Sequence, residues 1–346
     1  MAGRPDRRTV VVVGCVVAVA AAVIVVLVLR SGGSDDGGRP DRPTTTTTTT
    51  TVAPVLAPLT GAPGDPAARA RCVVTVKIDN TQAARPQSGL DVADVVYEEV
   101  VEGGITRLAA MFNGRAPDRV GPVRSVRKTD QSLVRPVGGV FAYSGGAPYA
   151  VASIATAPVV RLDETAAGDL MFRDGARQAP HNLYARVDAM YGRCGPKVPP
   201  PPLFAFRPRG VTPIRGVPVT SAVVGFRSGF AVTWNWDPGR RAFVRSIFGA
   251  PDSVESGTPI APRNVVVMWA RYTGGTASGF GAEAELTGTG RLLVLTGGRR
   301  IEGSWSRPDP DRPARLLDAN GSEILLSRGQ TWVELPEDSY PVTTQP

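Results

Sequence analysis

The residues with the strongest claim on chemistry lie between Asp79 and Arg127. Asp79 closes an apolar run, and Glu98 and Glu102 follow in one short stretch. Two carboxylates held at unequal pKa can serve as acid and base in hydrolysis. His181, the only histidine, is a further candidate, although Pro180-His181-Asn182 reads first as a turn whose side chains bond the backbone. Asp79, Glu98, Glu102 and His181 are therefore the catalytic candidates. Arg107, Arg124 and Arg127, with Arg119 nearby, offer a different chemistry, because a guanidinium fork matches two oxygens of a carboxylate or phosphate at once. Backbone N–H groups at Gly121 and Ser144-Gly145-Gly146 could add donors. The ligand-binding set read from the sequence is Asp79, Asn80, Arg85, Gln87, Ser88, Arg107, Arg124, Ser125, Arg127, Ser144, His181 and Asn182. The opposing expectation is that the arginines pair with Asp79, Asp94, Glu98 and Glu102 and fix the fold instead.

Other chemistries find less in the chain. Zinc normally takes several His or Cys ligands. A site of Asp79, Glu98 and His181 is the one metal arrangement open, and no resident metal or cofactor is expected. A serine nucleophile needs a Gly-x-Ser-x-Gly elbow, which neither Ser144 nor Ser125 has. Trp234, Trp236, Trp305 and Trp332 could stack on sugars, but read first as core or interface anchors.

The elements that must position these residues follow from periodicity. Val74, Val76 and Ile78 alternate as one face of a strand. Val95–Glu102 and Ile105–Phe112 read as a hairpin joined by Gly103-Gly104, a two-residue turn with positive φ. That register sets Val101 against Thr106 and Val100 against Arg107. Tyr97, Val101, Leu108, Ala110 and Phe112 would then face the core. Arg107 would lie on the other face, diagonal to Glu98 and Glu102. Val137–Tyr143 is a further strand, and helices are expected from Thr129, over Pro148–Ala155, and from about Arg186. Pro199–Pro202 marks a boundary, after which short strands alternate with Gly- and Asp-rich turns. They are Val219–Val224, Phe230–Asn235, Ala242–Ser246, Val265–Ala270, Ala282–Gly288, Arg291–Thr296, Arg299–Ser304, Ile324–Leu326 and Trp332–Leu335. The fold class expected is α+β: a mixed α/β N-terminal domain over 59–198, then a smaller β-rich C-terminal domain over 203–346.

Residues 10–29 carry no charge and are about long enough to cross a bilayer as a helix. Arg4, Arg7 and Arg8 precede them, which sets residues 1–9 in the cytoplasm and the rest outside. Cys15 loosely resembles a lipobox cysteine, but most of the apolar run follows it. Residues 30–58 contain eight consecutive threonines, Thr44 to Thr51, with Gly and Pro, and read as a disordered linker. Cys72 and Cys194 are the remaining cysteines, a candidate disulfide in an oxidising compartment. The net charge is +8, and all but Lys77, Lys128 and Lys197 of the 39 basic residues are arginine. That skew reads as codon bias, and no nucleic-acid partner is expected.

The Asp79–Arg127 motifs, with Ala179-Pro180-His181-Asn182-Leu183-Tyr184, resemble the DUF3048 family, the YerB-like lipoproteins. Arg263-Asn264-Val265-Val266-Val267, Gly288-Thr289-Gly290, Gly303-Ser304-Trp305-Ser306-Arg307 and Gly329-Gln330-Thr331-Trp332-Val333 carry the resemblance through the second half. It implies a bacterial envelope protein of two associated domains, and brings no settled activity. Members are typically lipid-anchored, whereas this chain offers an apparent transmembrane helix. Together these readings suggest an extracytoplasmic binding module, anchored in the membrane through 10–29. Its partner would be an anionic cell-wall or polysaccharide ligand, or another protein. The alternatives are a hydrolase of wall polymers or phosphodiesters using Asp79, and an envelope scaffold.

Overall fold

The alternation at Val74–Asp79 produces β1, but a strand with no exposed side. Val74, Val76 and Ile78 point one way, and Thr75, Lys77 and Asp79 are equally buried on the other. A helix over Lys128–Val134 lies on that second side, where its Asp130 receives the Lys77 ammonium at 2.8 Å. The computed structural model describes residues 56–64, 70–194, 199–208, 215–227, 229–274 and 282–346, all within one compact unit, Val52–Pro346. The anchor at 10–29, Cys15 and the linker up to residue 55 lie outside the described residues. Among those described, no helix is long and apolar enough to cross a membrane.

β2 (Val95–Val100) and β3 (Thr106–Phe112) form the expected antiparallel pair, displaced by one residue. Val100 faces Thr106, Glu99 faces Arg107 and Glu98 faces Leu108. Gly103 and Gly104 do take φ of +73° and +65°. They belong to a longer link in which the Val101 N–H donates to the Ile105 carbonyl at 2.8 Å. A one-residue slip sends every side chain to the opposite face. Tyr97 therefore parts from Leu108, Ala110 and Phe112, and Arg107 lies with Glu99, not beside Glu98. Side-chain matching explains the outcome. The observed register sets Val96 against Ala110 on the core face and places Glu99 on the face of Lys77, which it pairs with, whereas the expected one would set Glu99 against Leu108.

β4 (Val140–Ala142) and β5 (Val160–Leu162) extend β1 in parallel, and a helix over Pro148–Ile154 connects them. β6 (Met171–Arg173) and β7 (Leu183–Ala185) make a small hairpin. The second half contributes β8 (Val217–Pro218), β9 (Ser221–Arg227), β10 (Phe230–Asp237), β11 (Ala242–Ile247), β12 (Ala250–Pro251) and β13 (Asn264–Met268). β14 (Tyr272–Thr273), β15 (Glu283–Ala284), β16 (Gly288–Thr296), β17 (Arg299–Arg307), β18 (Arg315–Asp318), β19 (Thr331–Leu335) and β20 (Val342–Gln345) complete it. Of the strand expected over Ala282–Gly288, Glu283–Ala284 pairs as β15 and Gly288 opens β16, while in Ile324–Leu326 Leu326 makes an isolated bridge to Phe206.

β19 inserts between β13 and β2, parallel to both. It joins the halves into one eleven-stranded sheet of order β18-β17-β16-β13-β19-β2-β3-β1-β4-β5, with β8 on β17. The five-stranded sheet β12-β11-β10-β9-β20 packs on the face carrying Val76, Val96 and Leu108. Trp234 and Trp332 meet there, ring centroids 5.5 Å apart, as core anchors. Cys72 and Cys194 are joined, with Cα atoms 6.0 Å apart, which ties the segment before β1 to the end of the first half.

Candidate functional site

The ends of β1 and β3 divide the candidate residues between two faces of the sheet. Asp79 pairs across the ladder with Arg107, so both belong to the face covered by the helix Lys128–Val134. Asn80 and Glu98 belong to the other.

On the first face Asp79 is almost fully enclosed. Its Oδ1 accepts the Thr81 N–H at 3.0 Å. Its Oδ2 lies 2.7 Å from His181 Nδ1 and 2.9 Å from Arg124 Nε. Burial pushes this carboxyl up, but the Thr81 amide, the Arg124 charge and the His181 contact outweigh it and hold it below its ordinary value. Arg127 pairs with Glu102 at 2.5 Å, and Tyr149 donates to the same carboxylate at 3.2 Å. Glu102 is likewise held low: burial opposes this, and its own backbone N–H and Arg127 prevail.

Arg107 completes the cluster and differs from its neighbours. Its Nη1 donates to the Ser125 carbonyl at 2.9 Å, and its buried Nε has no hydrogen-bond partner. It makes no ion pair among the described residues. Burial, and then the charges of Arg127 and Arg124, push its guanidinium down to about 10. Three arginines thus share two carboxylates. Arg124, Arg127 and His181 remain partly open, with side chains 23%, 15% and 21% exposed. Ser125 enters through its carbonyl. The Ser144 N–H is taken by the Arg124 carbonyl at 3.0 Å and the Gly121 N–H by the Ser88 carbonyl at 3.2 Å. These backbone donors are therefore not available to an anion, because loop pairing satisfies them first.

The opposite face holds a closed ion network. Glu98 Oε1 accepts from Asn80 at 2.9 Å and from Thr106 at 2.8 Å, while Oε2 receives Arg245 at 2.6 Å. Arg245 also binds Asp252, and Glu334 lies close enough to feel the charges of Glu98 and Arg245. Burial and the neighbouring Glu98 raise Glu334 well above its ordinary range. Glu98 is fully buried and cannot pair with Asp79 as acid and base, since the two point to opposite faces. The same separation breaks the proposed metal grouping of Asp79, Glu98 and His181. Gln87 donates to the Asp79 carbonyl at 3.1 Å and to Asn80 Oδ1 at 3.0 Å, leaving its own buried Oε1 without a partner. Arg85 also binds Asn80, through its side-chain oxygen at 3.1 Å and its carbonyl at 2.9 Å.

Two candidates lie elsewhere. Ser88 donates to Glu255, a residue of the second half that also receives Arg119 and Arg177, so the structure uses it to join the halves. Asn182 accepts Arg173 at 2.8 Å within the β6–β7 hairpin. The buried groups that sequence reasoning missed include Arg245 and the set Lys77, Glu99 and Asp130. Arg245 did carry a signal: it shares parity with Phe243 and Ile247, the apolar face of its strand.

This arrangement is that of a two-sheet, β-rich protein whose core carries paired charges and whose central strands end in a cationic cluster. The chain belongs to the DUF3048 family. Residues 59–197 match "Protein of unknown function (DUF3048) N-terminal domain" and residues 222–333 match the corresponding C-terminal domain. It is similar to "Putative lipoprotein YerB" of Bacillus subtilis (strain 168), 28% identical over 296 residues, spanning 82% of this chain and 86% of the relative. The crystal structure of YerB from Bacillus subtilis superimposes with a TM-score of 0.73 at 27% identity, covering 84% of this chain and 99% of that one.

Proposed function

We propose that this protein is an extracytoplasmic binding module of the cell envelope, anchored through residues 10–29, with its anion site at Arg107, Arg124, Arg127 and His181. The observation that carries the reading is Arg107. Its guanidinium is buried, forms no ion pair among the described residues and leaves Nε without an acceptor, and a buried charge without a counter-charge costs stability. A carboxylate or phosphate brought to it would recover part of that, and would balance three arginines against two carboxylates. The lipoprotein description of the relative and the Cys72–Cys194 bridge both support the envelope address.

The test is thermal denaturation of the full chain in detergent with anionic wall fragments, inorganic phosphate or neutral sugars. Ligand at about 100 times its Kd stabilises by roughly 2.7 kcal/mol. A midpoint that rises with the anions and not with the neutral sugars supports the reading. An unchanged midpoint with every anion removes it.

A hydrolase is the second reading, favoured by the Asp79–His181 contact at 2.7 Å. Such a carboxylate can orient an imidazole so that Nε2 acts as base. Asp79→Asn would then abolish turnover of a wall polymer while leaving the chain folded. Equal turnover by wild type and variant excludes it.

A further inference from the structure

A cavity opens on the other face of the sheet from the Arg107 cluster, past the end of β1. Its volume is about 170 Å³, and its walls include Asn80, Arg85, Thr106, Arg227, Phe230 and Phe248. Cavities for drug-sized ligands run to roughly 300–1,000 Å³, so this one suits a single ring.

Two features distinguish it from incidental surface relief. Neither Arg85 nor Arg227 forms an ion pair among the described residues, although both border the cavity. Arg227 is exposed and carries its stem across Gly104, where a Cβ would meet Arg227 Cδ at 2.6 Å. A glycine therefore makes room for the arginine. The second feature is Phe248. It occupies φ +51° beside Gly249 at φ +79°, in the two-residue turn between Ile247 and Ala250. Such turns favour Asn-Gly, because a bulky side chain crowds its own backbone at positive φ. Phe248 is also 70% exposed, so burial does not compensate for the conformation. Its ring stands 5.9 Å from that of Phe230, at the cavity wall. An unfavourable backbone angle that presents an exposed aromatic ring beside two cations is the pattern from which a binding role is argued.

We propose that this cavity binds one acidic sugar unit, a pyranose bearing a carboxylate or phosphate. The aromatic ring of Phe248 packs on the apolar face of the sugar. Arg85 and Arg227 take its anionic group. The inference does not use the Arg107 cluster, which lies on the opposite face of the sheet, so each can fail without the other.

The test is calorimetric titration of the full chain in detergent with D-glucuronate and with glucose 6-phosphate, against glucose and inorganic phosphate. Binding of an acidic sugar with a Kd at or below about 1 mM, and about tenfold weaker binding of both controls, is the expected result. The two acidic sugars decide between carboxylate and phosphate. Arg227→Ala is expected to weaken binding by about tenfold or more, with the titrations repeated in an Arg107→Met background so that the other anion site does not contribute. Phe248→Asn separates a ligand role from a packing role: it should weaken binding while raising the thermal midpoint, since Asn relieves the turn. No binding of either acidic sugar overturns the proposal. So does binding that Arg227→Ala and Phe248→Asn leave intact, or a fall in midpoint with Phe248→Asn.

Discussion

Arg107 stands directly across the ladder from Asp79, yet its guanidinium donates to the Ser125 carbonyl and not to that carboxylate. Asp79 is already engaged by Thr81, Arg124 and His181. A formal cross-strand ion pair is thus replaced by a divided arrangement, in which one acid serves other partners and one base lacks an acid.

Removing that base should relieve the fold. Arg107→Met exchanges a buried, unpaired cation for apolar volume, which is commonly neutral or stabilising. Chemical denaturation is expected to show a stability within about 1 kcal/mol of wild type or above it. A loss of several kcal/mol would mean that the guanidinium has an acidic partner in solution.

Arg245 should behave in the opposite way. It is fully buried against Glu98 and Asp252, with Glu334 beside it. Arg245→Met leaves buried carboxylates without their cation, and is expected to cost roughly 3–5 kcal/mol in urea unfolding. An unaffected midpoint would contradict the network.

Stability should depend on pH through Glu99. Burial pushes its carboxyl up to about 7, against the opposing charge of Lys77, with Asp130 adding to the rise. The folded state therefore binds a proton that the unfolded state releases near its ordinary value of 4.5. Linkage makes this contribution full below 4.5 and lost as pH rises through about 7. Asp79, held low, acts in reverse: its contribution is present above the unfolded value and lost as pH falls through its folded one. Thermal midpoints of wild type and Glu99→Gln across pH 4 to 8 check the sign. Wild type should lose ground relative to the variant toward the alkaline end, and a constant difference would refute the assignment.

The bridge between Cys72 and Cys194 closes a separation of 122 residues. Chain-entropy arguments give a loop of that order a few kcal/mol. A Cys72→Ala, Cys194→Ala double variant is expected to lose about 2–4 kcal/mol, measured by denaturant unfolding under non-reducing conditions. Unchanged stability, with peptide mapping that finds free thiols in wild type, would show the bridge does not form.

Much of the strand pattern was legible, because a buried strand writes its period into the chain. β1, β3, β10, β11, β16 and β19 all lie where apolar alternation or apolar runs set them. The positive φ of Gly103 and Gly104 was legible for the same local reason. The register of β2 on β3 was not: the turn rule favoured one pairing, and the match of side chains across both faces favoured its neighbour. The site suffered most from that slip. It moved Glu98 away from Arg107 and onto Arg245, a residue 147 positions further along.

The sequence by itself determined that charged residues would crowd the stretch from Asp79 to Arg127, since residue type and spacing are local properties. It also determined the family, through motifs that run across both halves. Tertiary structure alone decided which acid meets which base, because β19 returns from the far end of the chain to lie beside β2. It alone revealed the cavity beside Phe248, which depends on turns of the second half coming against the end of β1. Contacts between distant segments depend on how whole sheets pack, and no window of sequence contains that information.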